Sequence, residues 1–392
     1  MIPYGRQTIS EADIRAVVDV LRSDFLTQGS AVPAFESAVA NYCGAHYACA
    51  VNSATSALHI ACLALGVGKG DSVWTSPITF VASANCALYC GADVDFVDID
   101  PLTYNISVEC LAAKLAQAEK TGNLPKVLIP VHLSGQSCDM GAIRRLGKQY
   151  GFNIIEDASH AIGGQYRGQP IGNCSYSDIT VFSFHPVKII TTGEGGMALT
   201  NDAGLARRMQ LLRSHGITRE IDQMTHEPDG PWYYQQIELG FNYRMTDLQA
   251  ALGLSQMQRL DEFVATRHSI AKRYDDLLSH LPVLIPWQYS DSYSSVHLYV
   301  IRLQLDLIGK THRAIFEALR VAGIGVNLHY IPVYLQPYYA NLGFNTGYCP
   351  EAENYYTQAI SLPIFPSLTL VEQDQVVSML SRAISRATAF DF

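Results

Sequence analysis

The sequence predicts an α/β protein: a large, mostly parallel, doubly wound sheet domain followed by a smaller α/β domain. Three observations carry this expectation. Short β-branched runs alternate with helical patterns through the first 250 residues, the alternation that βαβ crossovers need. Gly66, Gly91, Gly122 and Gly151 stand where such helices want a left-handed C-terminal cap. The chain is 392 residues long, 48% hydrophobic and 16% charged, enough for two packed domains and far from a disordered composition.

Taken in order, strands are expected at Tyr47 to Val51, Ser72 to Thr75, Asp93 to Val97, Val127 to Val131, Asn153 to Glu156, Ile179 to Phe184 and Met197 to Thr200. The intervening helices read as Ser53 to Leu65, Phe80 to Cys90, Val108 to Glu119 and Met140 to Tyr150. From Met245 to Leu281 apolar residues keep helical spacing, which predicts one long helix bridging two lobes. Residues 1–250 are therefore assigned to the large domain and 251–392 to the connecting helix and small domain. The small domain reads as a strand at His297 to Leu303, a helix at Lys310 to Ala322, a strand at Gly325 to His329 and a last helix opened by the box Thr369-x-x-Glu372. Thr218 to Gln236, with its aromatics and Asp229-Gly230-Pro231, is the expected long functional loop.

Composition excludes several functions. Lys plus Arg number 27 against 36 Asp plus Glu, a net charge of -9 with no basic run to line up on phosphates, so nucleic acid is not an expected partner. The start Met-Ile-Pro-Tyr-Gly-Arg-Gln lacks a signal pattern and no 18-residue apolar run occurs, so a cytoplasmic protein without a membrane partner is expected. The nine cysteines contain no Cys-x-x-Cys, and none of the 12 histidines lie three or four apart. Reduced thiols and no metal site are the corresponding expectations.

Three segments carry chemistry. Asn52-Ser53-Ala54-Thr55-Ser56-Ala57-Leu58 follows a strand and opens a helix, so its free amides could hold a phosphate; an ordinary N-cap is the plainer alternative. Glu156-Asp157-Ala158-Ser159-His160 puts carboxylates at the carboxyl end of a strand, where open α/β sheets form ligand crevices, although a solvated cap would look the same. Ser183-Phe184-His185-Pro186-Val187-Lys188, before Gly193-Glu194-Gly195-Gly196, sets a lysine between an apolar strand and a glycine-rich turn. Desolvation there favours the free amine that imine chemistry needs, while an exposed structural lysine is the competing reading. Together the three supply what pyridoxal 5′-phosphate (PLP) requires: a phosphate cradle, a carboxylate to keep the pyridine nitrogen protonated, and an amine for the imine.

With Ser76-Pro77-Ile78-Thr79-Phe80 and Gly240-Phe241-Asn242-Tyr243-Arg244-Met245, these motifs resemble the sugar aminotransferases of the DegT/DnrJ/EryC1/StrS family, fold-type I PLP-dependent transferases, from Ile2 to the C-terminus. The resemblance implies that Lys188 forms the imine and Asp157 partners the pyridine nitrogen. It implies that Ser183 with the Ala54 and Thr55 amides holds the phosphate, and that Phe80 stacks on the ring. His160 falls where glutamine often stands beside the phenolic oxygen. Asn242 matches a residue reaching the neighbouring subunit's cofactor, which implies a homodimer with shared sites. Family dehydratases carry histidine at the lysine position, so Lys188 favours transamination over dehydration and over a non-catalytic nucleotide-sugar sensor.

Pro231-Trp232-Tyr233-Tyr234 and His329-Tyr330-Ile331-Pro332-Val333-Tyr334 are most similar to family members of the pseudaminic acid route. That implies transfer of an amino group from L-glutamate to C4 of UDP-2-acetamido-2,6-dideoxy-β-L-arabino-hexos-4-ulose, with another UDP-, dTDP- or GDP-linked keto sugar as the alternative. His185, His329, Tyr334 and Trp232 are the candidate substrate contacts; each histidine could equally be packed or solvated, and Trp232 could serve a dimer contact.

Overall fold

A computed structural model of the chain describes residues 1–385. In chain order its main elements are α1 (Glu11–Leu21), α2 (Ala31–Cys43), β1 (Tyr47–Val51), α3 (Ala54–Ala64), β2 (Ser72–Thr75), α4 (Ala82–Tyr89), β3 (Asp93–Phe96), α5 (Val108–Thr121), β4 (Val127–Ile129) and α6 (Met140–Tyr150). They continue with β5 (Asn153–Asp157), β6 (Ile179–Ser183), β7 (Gly196–Thr200), α7 (Ala203–Arg213), α8 (Asp247–Met257) and α9 (Leu260–Leu278). The seven strands form one sheet in the order β1-β7-β6-β5-β4-β2-β3. Six run parallel, and β7 runs antiparallel to both β1 and β6. The reason is local: the segment joining β6 to β7 contains no crossover helix, so the chain turns back on itself.

Both faces of the sheet are covered, as alternation along the strands requires. In β6, Val181 packs with Ala57, Ala61 and Leu212 from α3 and α7, while its neighbour Phe182 packs with Phe35 and Val39 from α2. Helix α1 is opened by a capping box: the Asp13 amide bonds Ser10 Oγ at 3.3 Å and the Ser10 amide returns to the Asp13 carboxylate at 2.8 Å. Neither α1 nor α2 was among the expected helices.

Two expectations are corrected. The single helix from Met245 to Leu281 is two helices, broken at Gln258 and Arg259. Ser255 Oγ, Gln256 Nε2 and Arg259 Nη2 all converge on the buried Asp13 carboxylate, a polar demand that apolar spacing does not report. The strand expected over Gly325 to His329 is only Ile324–Gly325, and it pairs in parallel with Ile2–Pro3. Ile2 thereby joins the core of the small domain, while Tyr4 packs against the core of the large sheet. Of the span 251–392, residues 386–392 lie outside those described.

The small domain centres on an antiparallel sheet of Val283–Leu284, Tyr299–Leu303 and Ala359–Leu362. Ile315 and Leu319 of the helix His312–Val321, with Val376 and Leu380 of Leu370–Ile384, pack against its Ile301, Leu303, Ile360 and Leu362. The Thr369 and Glu372 capping box forms as expected.

Candidate active site

The carboxyl ends of β5 and β6, with the start of α3 and β7, converge on one cleft. At the head of α3, Ser53 Oγ accepts the Ser56 amide at 3.1 Å and Ser56 Oγ donates to Asn52 Oδ1 at 2.7 Å. These side chains serve the helix and leave the Ala54 and Thr55 amides without an acceptor among the described residues, at the positive end of the helix dipole. Gly196 of β7 pairs with Val51 and with Ser183, which brings the Ser183 hydroxyl to the same place. A Cβ on Gly196 would stand 2.4 Å from the Ala54 nitrogen, so only glycine lets the helix start sit on the sheet here. The result is a cradle of two amides and a hydroxyl shaped for a phosphate.

Asp157 ends β5, only 4% exposed. Its Oδ2 accepts Ser83 Oγ at 2.6 Å, and its Oδ1 accepts the Ser159 hydroxyl at 2.6 Å and amide at 3.1 Å. Glu156, one residue earlier, points to the opposite face. Its carboxylate accepts His132 Nε2 at 2.7 Å together with the Ser177 and Thr180 hydroxyls. Burial works to raise the Glu156 pKa, yet these hydrogen bonds outweigh it and hold the group below its ordinary value. The acidic pair is thereby divided into one structural carboxylate and one that faces the cleft.

Lys188 follows β6 in a loop closed by the Thr192 amide and Thr191 hydroxyl on the Phe184 carbonyl. Desolvation lowers its pKa to about 8, against the pull of the Asp157 charge. The amine forms no ion pair among the described residues. Phe80 is 61% exposed despite its apolar ring, which lies 6.3 Å from that of Tyr330; a large aromatic held open in a cleft suits a flat ligand. Cradle, carboxylate, amine and aromatic face thus fit PLP: Ala54, Thr55 and Ser183 could hold the phosphate, Asp157 the pyridine nitrogen and Phe80 the ring face.

The other candidates separate. His160 is buried, with Nδ1 accepting the Ser134 amide and Nε2 3.2 Å from Tyr330 Oη. Its pKa is driven well below normal by burial and then by the Lys188 and His329 charges. His329 is also buried, bonds Ser361 Oγ at 2.8 Å, and has its pKa lowered to about 3 by burial and by Lys188. His185 lies at the exposed rim, its pKa lowered by partial burial. Tyr334 corrects an expectation: it is fully buried, its hydroxyl donating to Glu353 at 2.6 Å and accepting the Cys349 amide at 3.2 Å. Its ring packs beside Phe96, so it is a core residue with no free group for a substrate. Trp232 is 74% exposed in the loop after Gly230. Asn242 is exposed beside the outer edge of β1, where the Asn52 amide donates to the Tyr243 carbonyl.

Sequence reasoning missed Ser83, Tyr4, His297 and Tyr330 as members of this site. Ser83 lies three residues after Phe80 at the start of α4 and could have been read from helical spacing. Tyr4, whose ring is 5.0 Å from that of His329, arrives through the pairing of Ile2–Pro3 with the small domain, and His297 lies 4.4 Å from the His160 ring. No local pattern signals those two. No group of three or more His, Cys, Asp or Glu side chains among the described residues is placed to hold a metal, and no described helix is long and apolar enough to cross a membrane.

Fold and site together define a fold-type I PLP-dependent enzyme. Residues 7–381 match the model of the DegT/DnrJ/EryC1/StrS aminotransferase family, and the chain belongs to that family. It is 38% identical over 387 residues to the UDP-4-amino-4,6-dideoxy-N-acetyl-beta-L-altrosamine transaminase of Campylobacter jejuni, covering 97% of this chain and 98% of that one. It is also 38% identical over 389 residues to the spore coat polysaccharide biosynthesis protein SpsC of Bacillus subtilis, covering 98% of each. Among solved structures it is similar to Helicobacter pylori PseC, an aminotransferase involved in the biosynthesis of pseudoaminic acid. That match has a TM-score of 0.89 at 31% identity and covers 98% of this chain and 99% of PseC. Similar structures include one protein in both its PMP and PLP forms. The protein is accordingly a PLP-dependent sugar aminotransferase.

Proposed function

We propose that this enzyme transfers the amino group of L-glutamate to C4 of UDP-2-acetamido-2,6-dideoxy-β-L-arabino-hexos-4-ulose, as a homodimer with shared sites. The observation that carries the transaminase chemistry is the placement of a Lys188 amine, without an ion pair among the described residues, and the Asp157 carboxylate on adjoining strand ends beside the phosphate cradle. The sugar is supported by the similarity to the Campylobacter transaminase and to PseC.

When bound, PLP supplies the electron sink that makes a proton on carbon removable. The chain supplies the rest. Asp157, fixed by Ser83 and Ser159, holds a proton on the pyridine nitrogen. Lys188, with a pKa lowered to about 8, has its neutral amine accessible near neutral pH and would take up and return the proton of the donor's α-carbon. Phe80 would cover the ring face. Exposed His185 and buried His329 are the imidazoles proposed to meet the sugar, and the Trp232 loop offers aromatic area on the outer surface.

Equal identity to SpsC supports a second reading, the same reaction on another UDP-, dTDP- or GDP-linked keto sugar. The test supplies purified enzyme, glutamate and a panel of 4-keto nucleotide sugars, comparing kcat/KM for the L-arabino compound and its D-xylo epimer. Preference for the epimer or for a different nucleotide would sink the sugar assignment and leave transamination standing.

A further inference from the structure

Helices α3 and α4 bring four side chains that the amination chemistry does not use into one cluster. His59 and Cys62 lie three apart on one face of α3, and Cys86 and Cys90 lie four apart along α4 and its C-cap. The Cys62 thiol is in hydrogen-bonding contact with the thiols of both Cys86 and Cys90, and Cys90 also meets His59. His59 Nδ1 lies 3.2 Å from Tyr243 Oη, and its ring is flanked by Phe241 at 4.8 Å and Tyr89 at 5.5 Å.

The three thiols are not equivalent. Cys62 and Cys86 are fully buried in a cluster with Ala57, Ala61, Ala84 and Ala87, the ordinary place of cysteine as a small apolar residue. Cys86 is further tied to its own helix, its thiol donating to the Ser83 carbonyl at 3.3 Å. Cys90 stands at the end of α4, partly exposed, and is followed by Gly91 in the left-handed conformation. The hydrogen bond with Cys62, opposed by burial and helped by His59, pushes the Cys90 pKa down to about 6, so the thiolate prevails at neutral pH. Cys62 is held protonated, its pKa raised by its two thiol neighbours and by burial. A partly exposed thiolate against a buried thiol is the arrangement of an attacking and a resolving cysteine.

We propose that Cys90 and Cys62 are a hydroperoxide-oxidised pair that closes a reversible disulfide between α4 and α3. The Cys90 sulfur attacks the outer oxygen of the hydroperoxide, forming an S–O bond and breaking the O–O bond. The proton given up by the Cys90 thiol leaves with the departing oxygen as an alcohol, or as water when the oxidant is hydrogen peroxide. Conversion of Cys90 to the neutral sulfenic acid removes a charge that holds the Cys62 proton. The Cys62 sulfur then attacks the Cys90 sulfur, the S–S bond forms, the S–O bond breaks, and hydroxide departs with the Cys62 proton as water. Two thiols thus pass two electrons to one hydroperoxide, and a dithiol reverses the change by exchange. Because Cys90 lies past the last turn of α4, the sulfurs close to bonding distance by moving a helix end and not a packed core. No step involves the cofactor cleft, so the proposal stands apart from the choice of sugar.

The test treats reduced holoenzyme with hydrogen peroxide at pH 7, alkylates the remaining thiols in denaturant and maps the unreduced peptides by mass. Of the nine thiols, the first two lost should be Cys62 and Cys90, joined in a cross-link that dithiothreitol opens. Cys62→Ala should stop at the sulfenic acid, which dimedone traps on Cys90. Cys90→Ala should leave Cys62 unoxidised, and Cys86→Ala should keep the cross-link; circular dichroism and PLP content verify that each variant is folded. Wild-type protein alone suffices to overturn the proposal. A cross-link through Cys86, sulfenic acid that accumulates on Cys90 with Cys62 unreacted, or oxidation of the exposed Cys110 ahead of Cys90 would each do so. So would retention of all nine thiols under peroxide that oxidises free glutathione alongside.

Discussion

Ser83 donates its hydroxyl to Asp157 across 2.6 Å, joining the first turn of α4 to the end of β5. The same turn follows Phe80, so one short helix start sets both the aromatic face and the carboxylate of the cofactor cleft. Asp157→Asn keeps the volume and removes the charge. The glutamate half-reaction is expected to slow at least about a hundredfold, the scale of losing a single electrostatic partner. Ser83→Ala leaves the charge and removes one donor, so a loss of about tenfold is expected, in line with a hydrogen bond to an ionised group. Single-turnover kinetics on both variants measures the order; a Ser83→Ala loss as large as that of Asp157→Asn would refute it.

Lys188 predicts both a covalent and a thermodynamic signature. Lys188→Ala should abolish turnover and leave no borohydride-trapped link to the cofactor. In the apoprotein the folded-state pKa of about 8 lies below the ordinary 10.5, so the unfolded chain binds the extra proton over that window and stability rises with pH across it. Lys188→Met apoprotein should therefore be more stable than wild type at pH 7, and the advantage should fade between about pH 8 and pH 10.5. Urea melts at a series of pH values measure this; a constant difference contradicts the lowered pKa.

Gly196→Ala places a methyl 2.4 Å from the Ala54 nitrogen and 2.5 Å from the Ser53 carbonyl carbon. These are backbone atoms, so the start of α3 must retreat from Ser183. PLP affinity is expected to fall at least about tenfold, the effect of about 1.4 kcal/mol, as read by equilibrium dialysis. Unchanged affinity would mean that these amides do not hold the phosphate.

Glu156→Ala strands His132, Ser177 and Thr180 without their shared acceptor. Breaking such a buried cluster is expected to cost about 3 kcal/mol of stability. The folded-state pKa of Glu156 is held down, so wild type has this contribution above the ordinary carboxylate range and loses it as pH falls through the lowered value. The acid limb of the variant's stability curve should be flatter. Because Glu156 faces away from the cleft, the glutamate half-reaction of the folded holoenzyme should stay within about threefold of wild type. A hundredfold loss there would give Glu156 the role proposed for Asp157.

Shared sites predict complementation. Equal mixing of inactive Lys188→Ala and inactive Asn242→Ala subunits should restore about a quarter of wild-type activity, since half the dimers are mixed and each has one intact site. No recovery despite proven subunit exchange would place the whole site within one chain.

The strands of the large domain, the capping glycines, and the motifs around Ala54, Asp157, Ser183 and Lys188 were legible in the sequence because they are local. A β-branched run, a left-handed cap and a small-residue helix start are each specified within a few neighbours. Tertiary structure alone decided what depends on distant segments meeting. It set β7 antiparallel between β1 and β6 and split the expected connecting helix at Arg259 through the remote Asp13. It buried Tyr334, which the sequence offered to a substrate, and divided Glu156 from Asp157 by giving the former His132. It also brought Tyr330 and His297 of the small domain onto His160 of the large one. Hydrogen bonds and burial of this kind join residues from about 15 to more than 240 positions apart, and no spacing rule along the chain encodes such a meeting.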